Sequence, residues 1–278
     1  AAAVRQALDI MEQEAGRPAA LAKIVLSRSL VATAERPIDL DLLLVRLSLD
    51  PAVTAFLVPL PDGGGARRVL AGATPELLLA KEGNRISSHP LAGSAKRQRD
   101  LAADAAAAAA LGRSEKDRRE HDIVVEFILD TLAPHCRTLS RPDGTTLVST
   151  SSMWHLGTRI EGELRDAEHS CVALAAALHP TPAVCGVPRD RSAEIIAQLE
   201  PHRRDFYAGT VGWCDARGDG AWYVSIRCAD VCGRQARLYA GAGIVPQSDP
   251  LAEAEETGAK FGAFLAALGV NLDGEAVR

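Results

Sequence analysis

From Ala221 to Val245 the sequence runs AWYVSIRCADV, then Cys232-Gly233-Arg234, then QARLYAGAGIV. Two runs rich in β-branched and aromatic residues, each alternating in polarity and separated by a glycine-containing turn, predict an antiparallel hairpin. A hairpin of this length is not stable alone, so the remaining chain must supply further strands and helices to cover it. LAKIVLSRSLVAT and TAFLVPL read as strands. RRVLAGATPELLLAKEGNRISSHPLAG reads as short strands and hairpins, with turns at 61–65 and at Gly83-Asn84.

Helical periodicity lies between these strands. AVRQALDIMEQ opens the chain as a helix, and DLDLLLVRLSL predicts another. Residues from about 101 to 134 read as one helix; AEHSCVALAAALHP and SAEIIAQLEP predict two more, stopped at Pro180 and Pro201. The last helix runs from near Pro250 to near Gly269. Hairpins interspersed with separate helices predict an antiparallel α+β architecture rather than a doubly wound parallel sheet. No internal repeat or linker divides the chain, so 1–278 is expected to be a single domain.

With 278 residues, 47% of them hydrophobic, the chain can bury a substantial core. The formal net charge is −5 and the Lys and Arg residues are dispersed, which argues against a nucleic-acid or membrane-surface partner. No apolar segment approaches the ~18–20 residues of a membrane span, and no signal-peptide pattern opens the sequence. Cys136, Cys171, Cys185, Cys214, Cys228 and Cys232 form no CxxC pair, so a cytoplasmic protein with reduced thiols is expected.

The last helix begins LAEAEETGAK, in which Glu253, Glu256 and Lys260 share a stripe whose next member is Phe264. Acids there suit the helix macrodipole, and Glu256–Lys260 is a well-oriented i,i+4 pair. SEKDRREHDIV carries Asp117 and Glu120 with the same i,i+3 spacing, and reads equally as a solvated charge run. Two helices each offering a pair of acids, with no Cys or His at ligand spacing, suit a hard cation such as Mg²⁺. The hairpin turn brings Arg227 roughly opposite the glycines of AGAGI, where a guanidinium beside bare backbone would make a carboxylate site. Lys23, Glu76 in TPELLL and His155 in WHLGT have ordinary structural readings when taken singly.

In order along the chain, KIVLSR, TPELLL, HPLAGSAKR, SEKDRREHD, WHLGTRIEGEL, HPTPAVCG, GTVGWCD, SIRCA and AGAGIVPQSDPLAEAEET resemble the chorismate-utilising enzymes. The likeness is greatest to isochorismate synthases of the siderophore (enterobactin and dihydroxybenzoate) type. It covers about Lys23 to Leu268. The resemblance implies the chorismate-binding-enzyme fold, large antiparallel β-sheets packed as a sandwich with helices outside. Relatives carry a longer N-terminal region that adds strands, so either the scaffold is pared down or part of it lies outside this sequence.

The implied activity is a magnesium-dependent isomerisation of chorismate to isochorismate by a monomer: water adds at C2 while the C4 hydroxyl departs. Lys23 inherits the role of general base for the water, and Glu76 that of general acid for the leaving hydroxyl. Glu120 and Glu256 inherit the metal, with Asp117 and Glu253 as its outer support. Arg227 and the Gly241 backbone resemble the clamp on the enolpyruvyl carboxylate, with Tyr207 and Lys260 contributing. Gly93 and Ser94 line the site near the metal-bound carboxylate, and His155 resembles the histidine near the C4 side of the ring.

An amine is almost wholly protonated in neutral water, so a lysine base requires surroundings that disfavour its charge. Aminodeoxychorismate synthases place a nucleophilic lysine where Ala92 stands, and anthranilate synthases usually lack a lysine at position 23. Salicylate synthases, which also eliminate pyruvate, tend to carry threonine in place of Ala183 but share a tyrosine at position 207. The resemblance therefore favours a reaction that stops at isochorismate, with a salicylate synthase or a catalytically impaired chorismate-binding module as the alternatives.

Overall fold

The computed structural model describes residues 1–61, 67–271 and 273–275. The opening third contains helix α1 (Ala2–Glu14), strand β1 (Lys23–Thr33), α2 (Leu40–Leu47), and strands β2 (Thr54–Leu60), β3 (Arg68–Thr74), β4 (Leu77–Glu82), β5 (Arg85–His89) and β6 (Leu91–Lys96). Helices α3 (Leu101–Arg113) and α4 (Glu115–Leu132) precede strands β7 (Cys136–Ser140), β8 (Thr145–Ser149), β9 (Met153–Thr158) and β10 (Ile160–Leu164). The chain finishes with α5 (Cys171–Leu178), β11 (Gly186–Val187), α6 (Arg189–Leu199), β12 (Thr210–Cys214), β13 (Gly220–Val224), β14 (Cys228–Cys232), β15 (Gln235–Ile244) and α7 (Pro250–Leu268).

Two six-stranded sheets, ordered β11-β1-β15-β14-β3-β2 and β12-β13-β4-β5-β10-β7, are joined by a three-stranded sheet β6-β9-β8. Every strand pairing among the described residues is antiparallel, as the hairpin pattern predicts. Strand alternation sorts the side chains of the first sheet. Leu70, Cys228 and Tyr239 face a core shared with the second sheet and with α4 and α5, whereas Val69, Ala71, Ala229, Val231 and Leu238 face α2 and α7. At the start of β1, Ile24 and Leu26 pack toward α1 and α6, which leaves Lys23 and Val25 pointing to the inner side. Among the described residues no helix is long and apolar enough to cross a membrane.

The hairpin forms with Cys232 opposite Gln235 and Gly233 in the left-handed region at φ 57°. The Gly83-Asn84 turn also forms, between Glu82 and Arg85. The turn expected at 61–65 falls, beyond Pro61, outside the described residues.

Two expectations need correction. AWYVSIRCADV is not one strand: β13 belongs to the second sheet and β14 to the first, and the chain changes sheets across Ser225–Arg227. The alternation continues through the crossing, so periodicity alone conceals it. Nor is 101–134 one helix, because Ser114 adopts an extended conformation, ending α3 and capping α4 with a hydroxyl that accepts from Asp117 N at 3.2 Å. This break gives α4 its own direction, and with it Asp117 and Glu120.

Replacing Ser114 by Ala removes the cap and should lower unfolding stability by about 1 kcal/mol, while Ser114→Asp should retain most of it. Urea unfolding of the three proteins measures both differences.

Candidate active site

A cleft lies between the inner ends of the first sheet, β6, α4 and α7. Glu76, Gly93, Ser94, Glu120, His155, Ala183, Tyr207, Arg227, Gly241, Glu256 and Lys260 all line it. Lys23 lies behind this wall and is wholly buried, with Nζ 3.2 Å from Glu120 Oε1. The approach lacks hydrogen-bond geometry, and Nζ has no hydrogen-bonding partner among the described residues. Asp117 and Glu253 stand off the cleft: Asp117 packs behind Gly93, and Glu253 pairs with Lys116 at 2.5 Å.

Local backbone features aim these groups. Gly93 sits where β6 slips register against β9, at φ 73°, so a β-bulge turns its carbonyl toward His155. The His155 ring meets Gly93 O through Nδ1 at 3.3 Å and Arg227 Nη2 through Nε2 at 3.2 Å. Because a guanidinium only donates, Nε2 accepts and Nδ1–H donates to the carbonyl. Burial, reinforced by the cations Arg227 and Lys260, holds His155 well below its ordinary pKa, in agreement with this neutral tautomer. Arg227 itself is left-handed at φ 51°, a conformation rare outside glycine, at the point where the chain changes sheets.

Glu76 occupies the short connection between β3 and β4 and is 3% exposed. Burial raises its carboxyl from the usual 4.5 to about 7, against the opposing pull of Lys23, a backbone hydrogen bond at Leu91, Arg227 and Lys260. Glu256 behaves differently. Burial alone would raise it, but Lys260 at 2.5 Å and the Ser94 hydroxyl, donating at 2.8 Å, bring it below the usual carboxylate value. Lys260 also donates to Gly241 O at 2.8 Å, tying α7 to β15.

Several participants carry no separate signal in the sequence reading. Gly243 admits Glu120, since a Cβ there would lie 1.9 Å from Glu120 Oε1. Tyr239 stacks on Tyr207 with ring centroids 5.1 Å apart, and Lys116 neutralises Glu253. The spacing of Tyr239, Gly241 and Gly243 at every second residue was the available clue, because it puts all three on one face of a strand.

Among the described residues no three His, Cys, Asp or Glu side chains converge into a metal cage. Glu120 and Glu256, from two helices, nevertheless border one cleft, and Glu253 Oε2 is buried without a hydrogen-bond partner. This oxygen-only donor set fits Mg²⁺, which commonly takes one or two carboxylates and completes its shell with water and substrate oxygens.

A family model described as chorismate binding enzyme matches residues 1–269. The chain belongs to this family. It is 48% identical over 254 residues to isochorismate synthase DhbC of Bacillus subtilis (strain 168), covering 90% of this chain and 64% of the relative. It is 46% identical over 267 residues to isochorismate synthase EntC of Escherichia coli (strain K12), covering 94% and 67%. The crystal structure of a putative 2,3-dihydroxybenzoate-specific isochorismate synthase, DhbC from Bacillus anthracis, superposes with a TM-score of 0.92 at 42% identity, covering 97% of this chain and 71% of that one. The chain thus spans about two thirds of the length of these relatives, and within that span the expected fold is correct.

The raised Glu76 pKa links site and stability. The unfolded carboxyl ionises near 4.5 and the folded one near 7, so stability is undiminished below about 4.5 and falls as the pH rises between these values. Glu76→Gln should therefore gain on the wild type across this window, by roughly 2–4 kcal/mol in total, and the difference should be flat above about pH 7. Denaturant unfolding of both proteins from pH 4.5 to 8 tests the sign and the window.

Proposed function

We propose that this chain is an isochorismate synthase, converting chorismate to isochorismate. The observation that carries the reading is one cleft uniting a buried carboxyl poised near neutrality, Glu76, with the cations Arg227 and Lys260, backed by the wholly buried Lys23. An acid whose pKa lies near the working pH suits protonation of a departing hydroxyl. A dianionic substrate matches the cations, which offset the cost of burying its charge. The isochorismate synthases similar to this chain support the assignment.

In this reading Lys23 removes a proton from the water that attacks C2, and Glu76 gives its proton to the C4 hydroxyl, which leaves as water. The new C2 hydroxyl and the released water balance the exchange. Arg227 and the amide of Gly241 hold the enolpyruvyl carboxylate, and Tyr207 and Lys260 close that side. His155, neutral, receives an Arg227 N–H and fixes the guanidinium in place. Gly93 and Ser94 border the ring carboxylate. Glu120 and Glu256 would hold Mg²⁺, with Asp117 and Glu253 behind them; the bound ion supplies positive charge for that carboxylate. Ala183 offers no hydroxyl to the substrate, which favours stopping before pyruvate is lost.

The six cysteines are all free thiols, which supports a reducing, cytoplasmic setting.

Three outcomes follow. Lys23→Ala and Glu76→Gln should each lower kcat by about 10²–10⁴ while chorismate still binds with Mg²⁺, as followed by chromatography and calorimetry. Near-normal turnover by Lys23→Ala would overturn the base assignment. Excess chelator should abolish turnover and added Mg²⁺ restore it; full activity in chelator would remove the metal from the reaction. Lactate dehydrogenase coupling should detect no pyruvate, and its release in step with chorismate loss would make the protein a salicylate synthase instead.

A further inference from the structure

Between α6 and β12 the chain reads Glu200-Pro201-His202-Arg203-Arg204-Asp205-Phe206-Tyr207, and the reaction above makes no use of the ion pair within it. Arg204 grips Glu200 with two donors, Nε to Oε2 at 2.9 Å and Nη2 to Oε1 at 2.6 Å. The pair is poorly accessible, with 17% of the Arg204 side chain and 3% of the Glu200 side chain exposed. Its remaining hydrogen bonds among the described residues go to backbone, and His202 Nε2 stands 4.0 Å from Glu200 Oε2. Arg204 Nη1 donates to Val184 O at 2.7 Å and Nη2 to Val25 O at 2.6 Å, while Glu200 Oε1 accepts from Ser27 N at 2.7 Å.

Val25 and Val184 are cleft-lining residues; Val25 lies two residues after Lys23, and Val184 follows Ala183. The pair therefore binds together the strand that carries Lys23 and the segment that carries Ala183. It also fixes a third wall. Tyr207 N donates to Arg204 O at 2.8 Å, within a turn that holds Asp205 at φ 45° and Ala208 at φ 60°. Left-handed residues other than glycine persist only where neighbouring structure imposes them.

We propose that Glu200 and Arg204 are positioning residues for the isomerisation, setting the separation of the Lys23 strand, the Ala183 segment and Tyr207. The proposal rests on the isochorismate synthase reading. Among the described residues Arg204 forms no hydrogen bond or ion pair with Lys23, Glu76, Arg227 or Lys260 and reaches the cleft through Tyr207, over whose ring its guanidinium lies at 6.0 Å, so its main effect is on the geometry of the step. The planar fork of an arginine satisfies Glu200 and two carbonyls together, whereas an ammonium of the same charge cannot span all three.

Wild-type protein is first assayed with chorismate and Mg²⁺, then compared with Arg204→Lys, with rates expressed per folded molecule. Displacement of a catalytic group by about 1 Å costs on the order of 10² in rate, so kcat should fall by about 10- to 100-fold. KM should change less than kcat, because the cations of the clamp, Arg227 and Lys260, are untouched. A kcat within about threefold of wild type, or a loss carried by KM, overturns the proposal. Hydrogen exchange on Glu200→Gln gives a readout independent of activity, and decides the matter if Arg204→Lys does not fold. Amides of 183–187 and 204–208 should exchange at least about tenfold faster while α3 and β8 keep their protection; unchanged exchange in those two segments overturns the proposal. A wild-type chain inactive toward chorismate would instead sink the isochorismate reading, leaving the exchange result to judge the clamp.

Discussion

Glu120 lies against β15 at a point where only a hydrogen atom fits. A side chain at Gly243 would begin 1.9 Å from its Oε1, so the backbone itself is the surface against which this carboxylate is packed. A Cβ there would turn the carboxylate end aside, so the glycine settles where Glu120 points. Lys23, on the neighbouring strand with Val25 opposite Gly243, then has its ammonium 3.2 Å from the same carboxylate. The aim of Glu120 and its approach to Lys23 both depend on this missing Cβ. The break at Ser114 is the other half of the arrangement, because a continuous α3–α4 helix could not point Glu120 there and also cover β6 and β9.

Charge is concentrated in and around the cleft in a way that would be costly if the groups were isolated. Each buried ion is close to an opposite charge or to a fixed dipole: Lys23 to Glu120, Lys260 to Glu256, Lys116 to Glu253. Glu76 is the exception, with only more distant cations to oppose its burial, and its proton is correspondingly hard to remove. The contrast between Glu76 and Glu256, one raised and one lowered in the same cleft, comes from the 2.5 Å contact with Lys260 that one has and the other lacks. Such a separation of pKa values is what the proposed reaction would need from two identical side chains, one as proton donor and one as anionic ligand.

The crossing at Ser225–Arg227 links architecture to the lining of the cleft. A strand cannot belong to two sheets without a bend, and the bend here turns Arg227 into the left-handed region and toward His155. The strain is local. Its compensation is the bulge at Gly93, whose carbonyl fixes the histidine that in turn accepts from the guanidinium. Two irregularities, one between the six-stranded sheets and one within the three-stranded sheet, thus define one hydrogen-bonded unit facing the cleft.

The sequence by itself determined the hairpin through Gly233, the limits of α7 at Pro250 and Gly269, and the residue types of the site. These depend on propensities and on spacing within a few residues, and the ordered motifs extend them to a family. It did not determine the sheet crossing or the break at Ser114, because alternation and helical periodicity run through both without interruption. Partnerships were beyond it as well: Ser94 meets Glu256 across 162 positions, and Arg204 meets Val25 across 179. Which carboxylate holds its proton, and which glycine must remain bare, was decided only by the tertiary structure, because desolvation and close approach are properties of packed layers and not of neighbours in the chain.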